Sequence, residues 1–171
     1  MMKRLHKSDY TVDAVTAAKM LLGKWLCRRL ADGTVLKARI VETEVYCGEG
    51  DTACHAHCGK TERNAPMYEA GGIAYIYLCY GMHNLLNVVT GKKGYPEAVL
   101  IRSIENHIGP GRVTKFLRID RTLNREPLTT SICLWIEAAG TPSPRFKATP
   151  RIGIAYATKR DQNRKWRFVT Y

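Results

Sequence analysis

Apolar and polar positions alternate along two stretches of the chain that flank a turn signal. The stretches, Lys24–Leu30 and Val35–Tyr46, are rich in apolar and β-branched residues, which favours strands. Between them, "ADGT" contains the Asp-Gly pair that is typical of tight hairpin turns. The pattern therefore predicts an antiparallel hairpin.

A helical period precedes this hairpin. Apolar residues recur three to four positions apart, at Val15, Ala18, Leu21 and Leu22. Thr11 is a suitable N-cap, and Gly23 follows the last apolar residue, as is common at a helix C-terminus. The sequence predicts one short helix ahead of the first strand.

A second hairpin follows a long segment without clear periodicity. This segment, Cys47–Gly72, contains Gly, His and Asn, and irregular segments of such length inside a compact domain are usually functional or mobile. The hairpin comprises Ile73–Leu78 and Leu85–Thr90, with Tyr80 and Gly81 near its tip.

The second half of the chain predicts one short helix and further strands. Gly109, Pro110 and Gly111 open the helix. The strands are Ala98–Ile104, Ser131–Glu137, Arg151–Tyr156 and Trp166–Val169. Residues 1–171 are thus expected to form a single compact domain of α/β (α+β) class, with a curved, mainly antiparallel sheet, flanking helices and a protruding β-hairpin.

Composition adds a strong positive charge to this picture. The 171 residues include 27 Lys and Arg against 15 Asp and Glu, a net charge of +12. This excess indicates a polyanionic partner, most simply nucleic acid. A basic surface also suits an anionic membrane, but the sequence shows no amphipathic Lys/Arg helix with an aromatic face, so we expect no membrane partner. No stretch has the length of a membrane span, and no apolar signal segment follows the N-terminus. We expect a cytosolic protein with reduced cysteines, associated with the nucleoid in a bacterium or nuclear in a eukaryote.

Two glutamates and an arginine are candidates for catalysis. Glu42 and Glu44 lie two positions apart in an apolar strand and therefore face the same way. Burial there would raise a carboxyl pKa and make the group a usable proton acceptor. Arg102, in the apolar strand "AVLIRSI", needs a carboxylate partner, and either glutamate would serve. A solvent-facing strip of charges or a structural ion pair explains the same pattern.

The stretch "CHAHC", Cys54–Cys58, resembles part of a metal site. A structural zinc site needs a second pair of ligands at a distance, and the sequence offers none. We therefore predict no metal, and we assign His55 to the wall of a pocket.

Three tyrosines belong to the second hairpin. Tyr75 and Tyr77 share one face of their strand, whereas Tyr80 falls at the turn. Cross-strand aromatic packing explains such a cluster. On a basic protein, however, Tyr-Gly-Met at a hairpin tip also fits a wedge inserted between base steps, with an aromatic pocket behind it for a flipped base.

Basic residues that could contact phosphates are scattered along the chain. A solvated surface explains most of them equally well, and the candidates are Lys60, Arg63, Arg112, Lys115, Arg118, Arg151, Lys159, Arg160, Arg164, Lys165 and Arg167.

Six motifs occur in an order that resembles a known family. They are "RIVETEVY", "DTACH", "TERN", "YIYLCYGMHNLLNVV", "AVLIRSIE" and "GPGRVTKFL". Together they resemble the alkyladenine (3-methyladenine) DNA glycosylases of the antiparallel α/β type, over nearly the whole chain. The resemblance implies a monomeric, monofunctional enzyme without metal or cofactor. Such an enzyme flips alkylated or deaminated purines out of double-stranded DNA and hydrolyses the N-glycosidic bond, which leaves an abasic site.

The resemblance also implies roles for individual residues. Glu44 matches the glutamate that activates the attacking water, and Arg102 matches the arginine that helps to hold it. Tyr80 matches the side chain inserted through the minor groove.

Further matches concern the pocket for the flipped purine. Tyr46 and His55 match residues that stack on or hydrogen-bond the purine, and Tyr77 matches the opposite stacking wall. Asn87 matches the asparagine that crowds the 2-amino group of guanine. Met82 and Leu100 match the apolar groups that flank the site in the family.

The sequence departs from the family pattern in two places. The link between Arg102 and Gly109 is short where the family usually has a longer, partly helical segment. Cys54 and His83 stand where the family more often has a small residue and an aromatic one. The alternative functions are a non-catalytic basic module that binds DNA or RNA through the same face, and a small zinc protein built on Cys54–Cys58.

Overall fold

Nine strands form one curled, antiparallel sheet in the computed structural model, which describes residues 3–171. In chain order the strands are β1 Trp25–Arg29, β2 Val35–Cys47, β3 Ala74–Cys79, β4 His83–Val89, β5 Glu97–Ile104, β6 His107–Ile108, β7 Leu134–Glu137, β8 Phe146–Thr149 and β9 Arg167–Thr170. Their order across the sheet is β3-β4-β5-β2-β1-β7, with β6 beside β5 and β9 between β2 and β8. The predicted fold class and both predicted hairpins are confirmed.

Four short helices accompany the sheet. They are α1 Lys7–Tyr10, α2 Ala14–Leu21, α3 Pro110–Phe116 and α4 Lys159–Asn163, and two 3-10 turns lie at Ala65–Tyr68 and Arg121–Leu123. Within residues 3–171, none of the helices has the length and apolar character that crossing a membrane requires. The predicted helix at Gly109–Gly111 is confirmed, with Gly109 as its N-cap.

The N-terminus of α2 differs from the prediction. The N-cap is Asp13 rather than Thr11, because the Asp13 carboxylate accepts the backbone N–H of Thr16 at 3.0 Å. Thr11 instead ends the preceding turn, where its hydroxyl donates to the Ser8 carbonyl at 3.3 Å. At the other end, Gly23 adopts φ 78°, the left-handed conformation that favours glycine after a helix.

The hydrophobic core lies on the side of the sheet that α2 covers. A β-bulge near Glu42 interrupts β2, and it changes which residues face this core. Before the bulge Ala38 and Ile40 point inward, and after it Val45 does. The bulge therefore leaves Glu42 and Glu44 together on the opposite face of the sheet, where both contact Arg102.

The segment Arg151–Tyr156 is a loop, and the predicted strand there is wrong. Its apolar residues alternate as in a strand, but Gly153 adopts φ 76° and the segment pairs with no strand. The loop is fixed by tertiary contacts, since Arg151 is buried and the N–H of Ile152 donates to a Glu44 carboxylate oxygen at 2.9 Å.

Candidate active site

The floor of the site is a row of residues that crosses four neighbouring strands. Tyr75 on β3 pairs with Asn87 on β4, which pairs with Leu100 on β5, which pairs with Glu44 on β2. Residues directly opposite one another in a sheet share a face. The register therefore brings together four side chains that are far apart in sequence.

A cavity of about 1270 Å³ opens over this row. Its lining includes eight of the nine predicted site residues: Tyr77, Tyr80, Met82 and Asn87 from the β3–β4 hairpin, and Tyr46, His55, Leu100 and Arg102 from elsewhere. The ninth, Glu44, is fully buried directly behind the wall.

The Glu44 carboxylate is held by two hydrogen bonds and one ion pair. Its Oε1 accepts the backbone N–H of Ile152 at 2.9 Å and lies 3.6 Å from Nε of Arg102. Its Oε2 accepts the hydroxyl of Tyr46 at 2.8 Å. Because Ile152, Arg102 and Tyr46 all line the cavity, the carboxylate is one side chain away from the space.

Burial perturbs the ionisation of both hydrogen-bonded partners. The pKa of Glu44 is raised above its ordinary value, chiefly because the buried carboxylate has lost its hydration, and the Arg102 charge opposes this shift. The pKa of Tyr46 is raised well above its ordinary value by burial and by the adjacent Glu44 charge. Tyr46 therefore remains a hydroxyl donor, and Glu44 is a stronger base than an exposed glutamate.

Arg102 bridges the two glutamates of β2, as the sequence suggested. Its Nε lies 3.4 Å from Glu42 and 3.6 Å from Glu44. Glu42 is further bound by Arg167 of β9 and by the hydroxyl of Ser103. Glu42 thus anchors the arginine, while Glu44 faces the cavity wall.

Three rings form an aromatic cluster on one side of the cavity. The Tyr75 hydroxyl and Nδ1 of His55 are hydrogen-bonded at 3.0 Å. The His55 and Tyr77 rings meet edge to face, with centroids 4.5 Å apart. Two parallel walls around a flat base need about 7 Å between them, since ring atoms approach to about 3.5 Å on each side. In this conformation a flat base therefore has no room between His55 and Tyr77.

His55 is solvent-accessible within the cavity but is surrounded by protein. The surrounding protein removes part of the hydration of the imidazole, and this loss, together with the positive charge of Arg63, lowers the pKa of His55 to about 4. The imidazole is therefore neutral at physiological pH.

Asn87 is almost fully buried in the cavity floor. Its amide nitrogen donates to the backbone carbonyl of Tyr75 at 3.2 Å, which fixes the orientation of the side chain. The β4 register, rather than a local motif, decides that this amide lies beside Leu100.

The tip of the β3–β4 hairpin projects away from the body of the protein. Tyr80 is 86% exposed and Met82 is 71% exposed. Tyr80 also adopts φ 50°, a conformation that is uncommon for a residue other than glycine, and Gly81 follows with φ 68°. Two large apolar side chains are thus presented to solvent at the mouth of the cavity.

Several predicted phosphate contacts are wrong or are engaged elsewhere. Arg151 is 5% exposed, and its guanidinium binds Asp51 through two nitrogens. Arg167 is paired with Glu42, while Arg160 and Arg164 both contact the buried Asp161. Of the predicted phosphate contacts, those that line the cavity are Arg63, Arg112, Lys115 and Arg118.

The stretch Cys54–Cys58 does not gather metal ligands. Cys54 is buried and Cys58 is exposed, so the two thiols point into different environments. Nδ1 of His57 contacts the Glu49 carbonyl at 2.7 Å. Among residues 3–171, no three His, Cys, Asp or Glu side chains lie close enough to hold an ion.

Three contributors to the site escaped the sequence analysis. The backbone N–H of Ile152 holds Glu44, and Arg151 and Asp51 fix the loop that carries it. Arg151 resembled any surface arginine in a basic chain. A usable signal was its place beside apolar Ile152 and Ile154, since a buried arginine needs a buried acid.

A basic protein with an aromatic-lined cavity and a buried carboxylate behind its wall has the features of an enzyme that acts on nucleic acid. Residues 8–108 and 106–171 match the family model "Methylpurine-DNA glycosylase". The chain therefore belongs to the methylpurine-DNA glycosylase family, and it is a DNA glycosylase.

Three relatives support this assignment, each named "Putative 3-methyladenine DNA glycosylase". A protein of Psychrobacter cryohalolentis is 46% identical over 80% of this chain and 78% of the relative. One from Borreliella burgdorferi is 44% identical over 91% of this chain and 90% of the relative. One from Methanocella arvoryzae is 42% identical over 96% of this chain and 90% of the relative.

Proposed function

We propose that this glycosylase removes alkylated and deaminated purines from double-stranded DNA by flipping the base into the cavity. The substrate class comprises 3-methyladenine, 7-methylguanine, hypoxanthine and ethenoadenine. Glu44 activates a water molecule that hydrolyses the N-glycosidic bond and leaves an abasic site. The observation that carries the proposal is a buried carboxylate of raised pKa, held by two hydrogen bonds and the Arg102 ion pair, behind the wall of an aromatic-lined cavity.

One acceptor site of the Glu44 carboxylate is available to the water. A carboxylate oxygen has two acceptor sites, and within residues 3–171 Oε2 of Glu44 is bound only by the Tyr46 hydroxyl. Water bound there passes a proton to Glu44 as its oxygen bonds to C1′ of the sugar. The C1′–N9 bond breaks at the same centre, and its electron pair leaves with the purine. Arg102, 3.6 Å from Oε1, orients the carboxylate and the water.

The aromatic walls suit a flat and electron-poor base. A purine methylated at N3 or N7 is cationic, stacks well on tyrosine, and leaves as a neutral base. Neutral His55 avoids repulsion of such a base. Because the His55 and Tyr77 rings touch, the base stacks on Tyr77 only after His55 rotates away.

The cavity mouth fits a DNA duplex. Tyr80 enters the minor groove and fills the gap left by the flipped nucleotide, and Met82 packs beside it. Arg112, Lys115 and Arg118 on and beside α3 contact phosphates around the gap. Asn87 in the rigid floor crowds the 2-amino group of guanine and so disfavours the normal base. The enzyme acts as a monomer in the compartment that holds the DNA.

A lesion panel tests this function. Duplexes that contain each of the four lesions are incubated with excess protein, and free base and alkali-labile sites are followed over time. We expect release of the base without a borohydride-trapped intermediate, since water is the nucleophile. Binding without release from any lesion would instead identify a non-catalytic module.

A matched pair of variants tests Glu44. Glu44→Gln should lower the single-turnover rate about 10²- to 10⁴-fold while DNA affinity changes little. Glu97→Gln is the control, because Glu97 is another buried glutamate of raised pKa that lies outside the cavity lining. Rates within severalfold of each other in the two variants would exclude Glu44 as the base.

A further inference from the structure

We infer that Arg151, held by Asp51, is a positioning residue that aligns the Glu44 carboxylate through both neighbours of that group, the Tyr46 ring and the Ile152 backbone. The inference rests on the proposed role of Glu44 as the base. It concerns a residue that touches neither the cavity nor the catalytic carboxylate.

The first observation is the rigidity of Arg151. Its Nη1 and Nη2 donate to the two oxygens of Asp51 at 2.6 Å and 2.8 Å, and both side chains are completely buried. A bidentate arginine–carboxylate pair fixes the plane of the guanidinium as well as its place. Asp51 is itself held by the backbone N–H groups of Cys47 and Ala53 at 3.2 Å and 3.1 Å.

The second observation is that Arg151 is hydrogen-bonded to β2, the strand that carries the proposed general base Glu44. Its Nη1 donates to the backbone carbonyl of Val45 at 2.8 Å, and Val45 lies between Glu44 and Tyr46. Its guanidinium also lies 4.9 Å from the centroid of the Tyr46 ring. Tyr46 cannot turn without losing this contact, and its hydroxyl is the donor to Oε2 of Glu44.

The third observation concerns the next residue in the loop. Ile152 follows Arg151 directly, and its N–H donates to the other oxygen of Glu44, Oε1, at 2.9 Å. Anchoring Arg151 therefore also fixes this N–H. Both oxygens of the carboxylate are therefore oriented by groups that Arg151 contacts or carries: the Tyr46 hydroxyl on β2, and the Ile152 N–H on a loop more than a hundred residues further along the chain.

This arrangement answers a physical need. A free carboxylate next to a cavity would rotate, and misplacement of a reacting group by about 1 Å costs on the order of 10²-fold in rate. A buried ion pair is weak evidence for a purely stabilising role, because desolvation offsets much of its attraction. Alignment of Glu44 gives the Asp51–Arg151 pair a function that an apolar replacement would not supply.

The test uses the conservative variant Arg151→Lys in a double-mutant cycle with Glu44→Gln. Lysine keeps a positive charge for Asp51, but it cannot bind Asp51 and Val45 together or lie flat on Tyr46. The single-turnover rate for release of 7-methylguanine should fall about 10- to 100-fold, with the dissociation constant for the lesion duplex changed less than about 3-fold. In the Glu44→Gln background the same substitution should change the rate less than about 3-fold, because no carboxylate remains to be aligned.

Arg164→Lys provides the matched control. Arg164 also stacks on an aromatic ring, with its guanidinium 4.3 Å from the Trp166 centroid, and it pairs with buried Asp161 at 3.1 Å. It contacts neither Tyr46 nor Glu44 among the described contacts. We expect Arg164→Lys to lower the melting temperature without lowering the rate of the folded enzyme.

Asp51→Asn is the second variant should Arg151→Lys fail to fold, since it keeps the shape of the anchor, removes its charge and replaces one of its two acceptor oxygens by an NH2 group. Either variant should show the non-additive loss at a temperature where circular dichroism shows full folding. A loss that is equal in both backgrounds, or a wild-type rate in the folded variant, overturns the inference. A wild-type rate for Glu44→Gln alone would instead overturn the proposed function.

Discussion

The two ends of the site are built in opposite ways. Glu44 is completely buried, and its carboxylate is fixed by partners from three separate parts of the chain. Tyr80 is 86% exposed, and its position depends on a two-residue turn with positive φ. The rigid end determines where a bond is broken, and the exposed end offers apolar surface that only a partner covers. Substitutions at the two ends should therefore change different measurements.

The largest effect should follow the loss of Arg102 at the buried end. Arg102→Met leaves Glu42 and Glu44 as two buried carboxylates with less positive charge between them, and it should lower the free energy of unfolding by about 3 kcal/mol. Urea unfolding measures this change. Arg112→Met is the control, because Arg112 is exposed at the cavity rim, and it should change stability by less than about 0.5 kcal/mol. Equal losses of stability in the two variants would contradict the contrast between the buried and the exposed end.

The next largest effect, again at the buried end, should be a dependence of the reaction rate on pH. Since Glu44 acts as a carboxylate and its pKa is raised, the rate should increase about tenfold per pH unit below that pKa and then reach a plateau. Glu44→Gln should lack this limb. The charged side chains next to the Glu44 carboxylate are Glu42 and Arg102, and the Tyr46 hydroxyl donates to it.

Stability should move in the opposite direction to the rate. A carboxyl whose pKa is raised on folding binds its proton more tightly in the folded state, so its contribution to stability is fully present below the ordinary glutamate pKa. This contribution is lost as the pH rises through the raised pKa of Glu44. Wild type should therefore lose stability relative to Glu44→Gln over the window in which it gains activity. Parallel curves for the two proteins would contradict the raised pKa.

A smaller effect is expected at the exposed end. Tyr80→Ala should weaken binding to a lesion duplex about tenfold, because stacking of an aromatic ring on a base is worth about 1–3 kcal/mol. It should leave the melting temperature unchanged, since Tyr80 packs on almost nothing in the free protein. The fluorescence of a base analogue in the lesion duplex measures how far the flipped nucleotide is held in the protein. Tyr171→Ala, at another exposed tyrosine, should leave both quantities unchanged.

The smallest effect concerns the rim of the cavity. Arg112→Gln should reduce the slope of log Kd against log salt concentration by about 1, as expected for the loss of one phosphate contact. Lys159→Gln removes an exposed charge that does not line the cavity, and the slope should then stay the same. An equal reduction in both variants would mean that the cations act only through the net charge.

Local pattern by itself determined much of this protein. Period two identified the β1–β2 and β3–β4 hairpins, and the Asp-Gly and Tyr-Gly turns marked their tips. The same period predicted that Glu42 and Glu44 share a face, which holds in the structure although a β-bulge interrupts the strand there, and the unusual arginine in an apolar strand indicated that Arg102 would bind one of them. These features depend on near neighbours in the sequence, which is why sequence sufficed.

Tertiary structure alone decided the rest. The alternation of Arg151–Tyr156 predicts a strand, but a buried ion pair with Asp51 and the backbone bond to Glu44 hold it as a loop. The row that ends in Glu44 exists because four strands adopt one register, and no local pattern specifies which strands become neighbours. A side chain's periodicity fixes its direction, but burial and pairing with distant groups fix its chemistry.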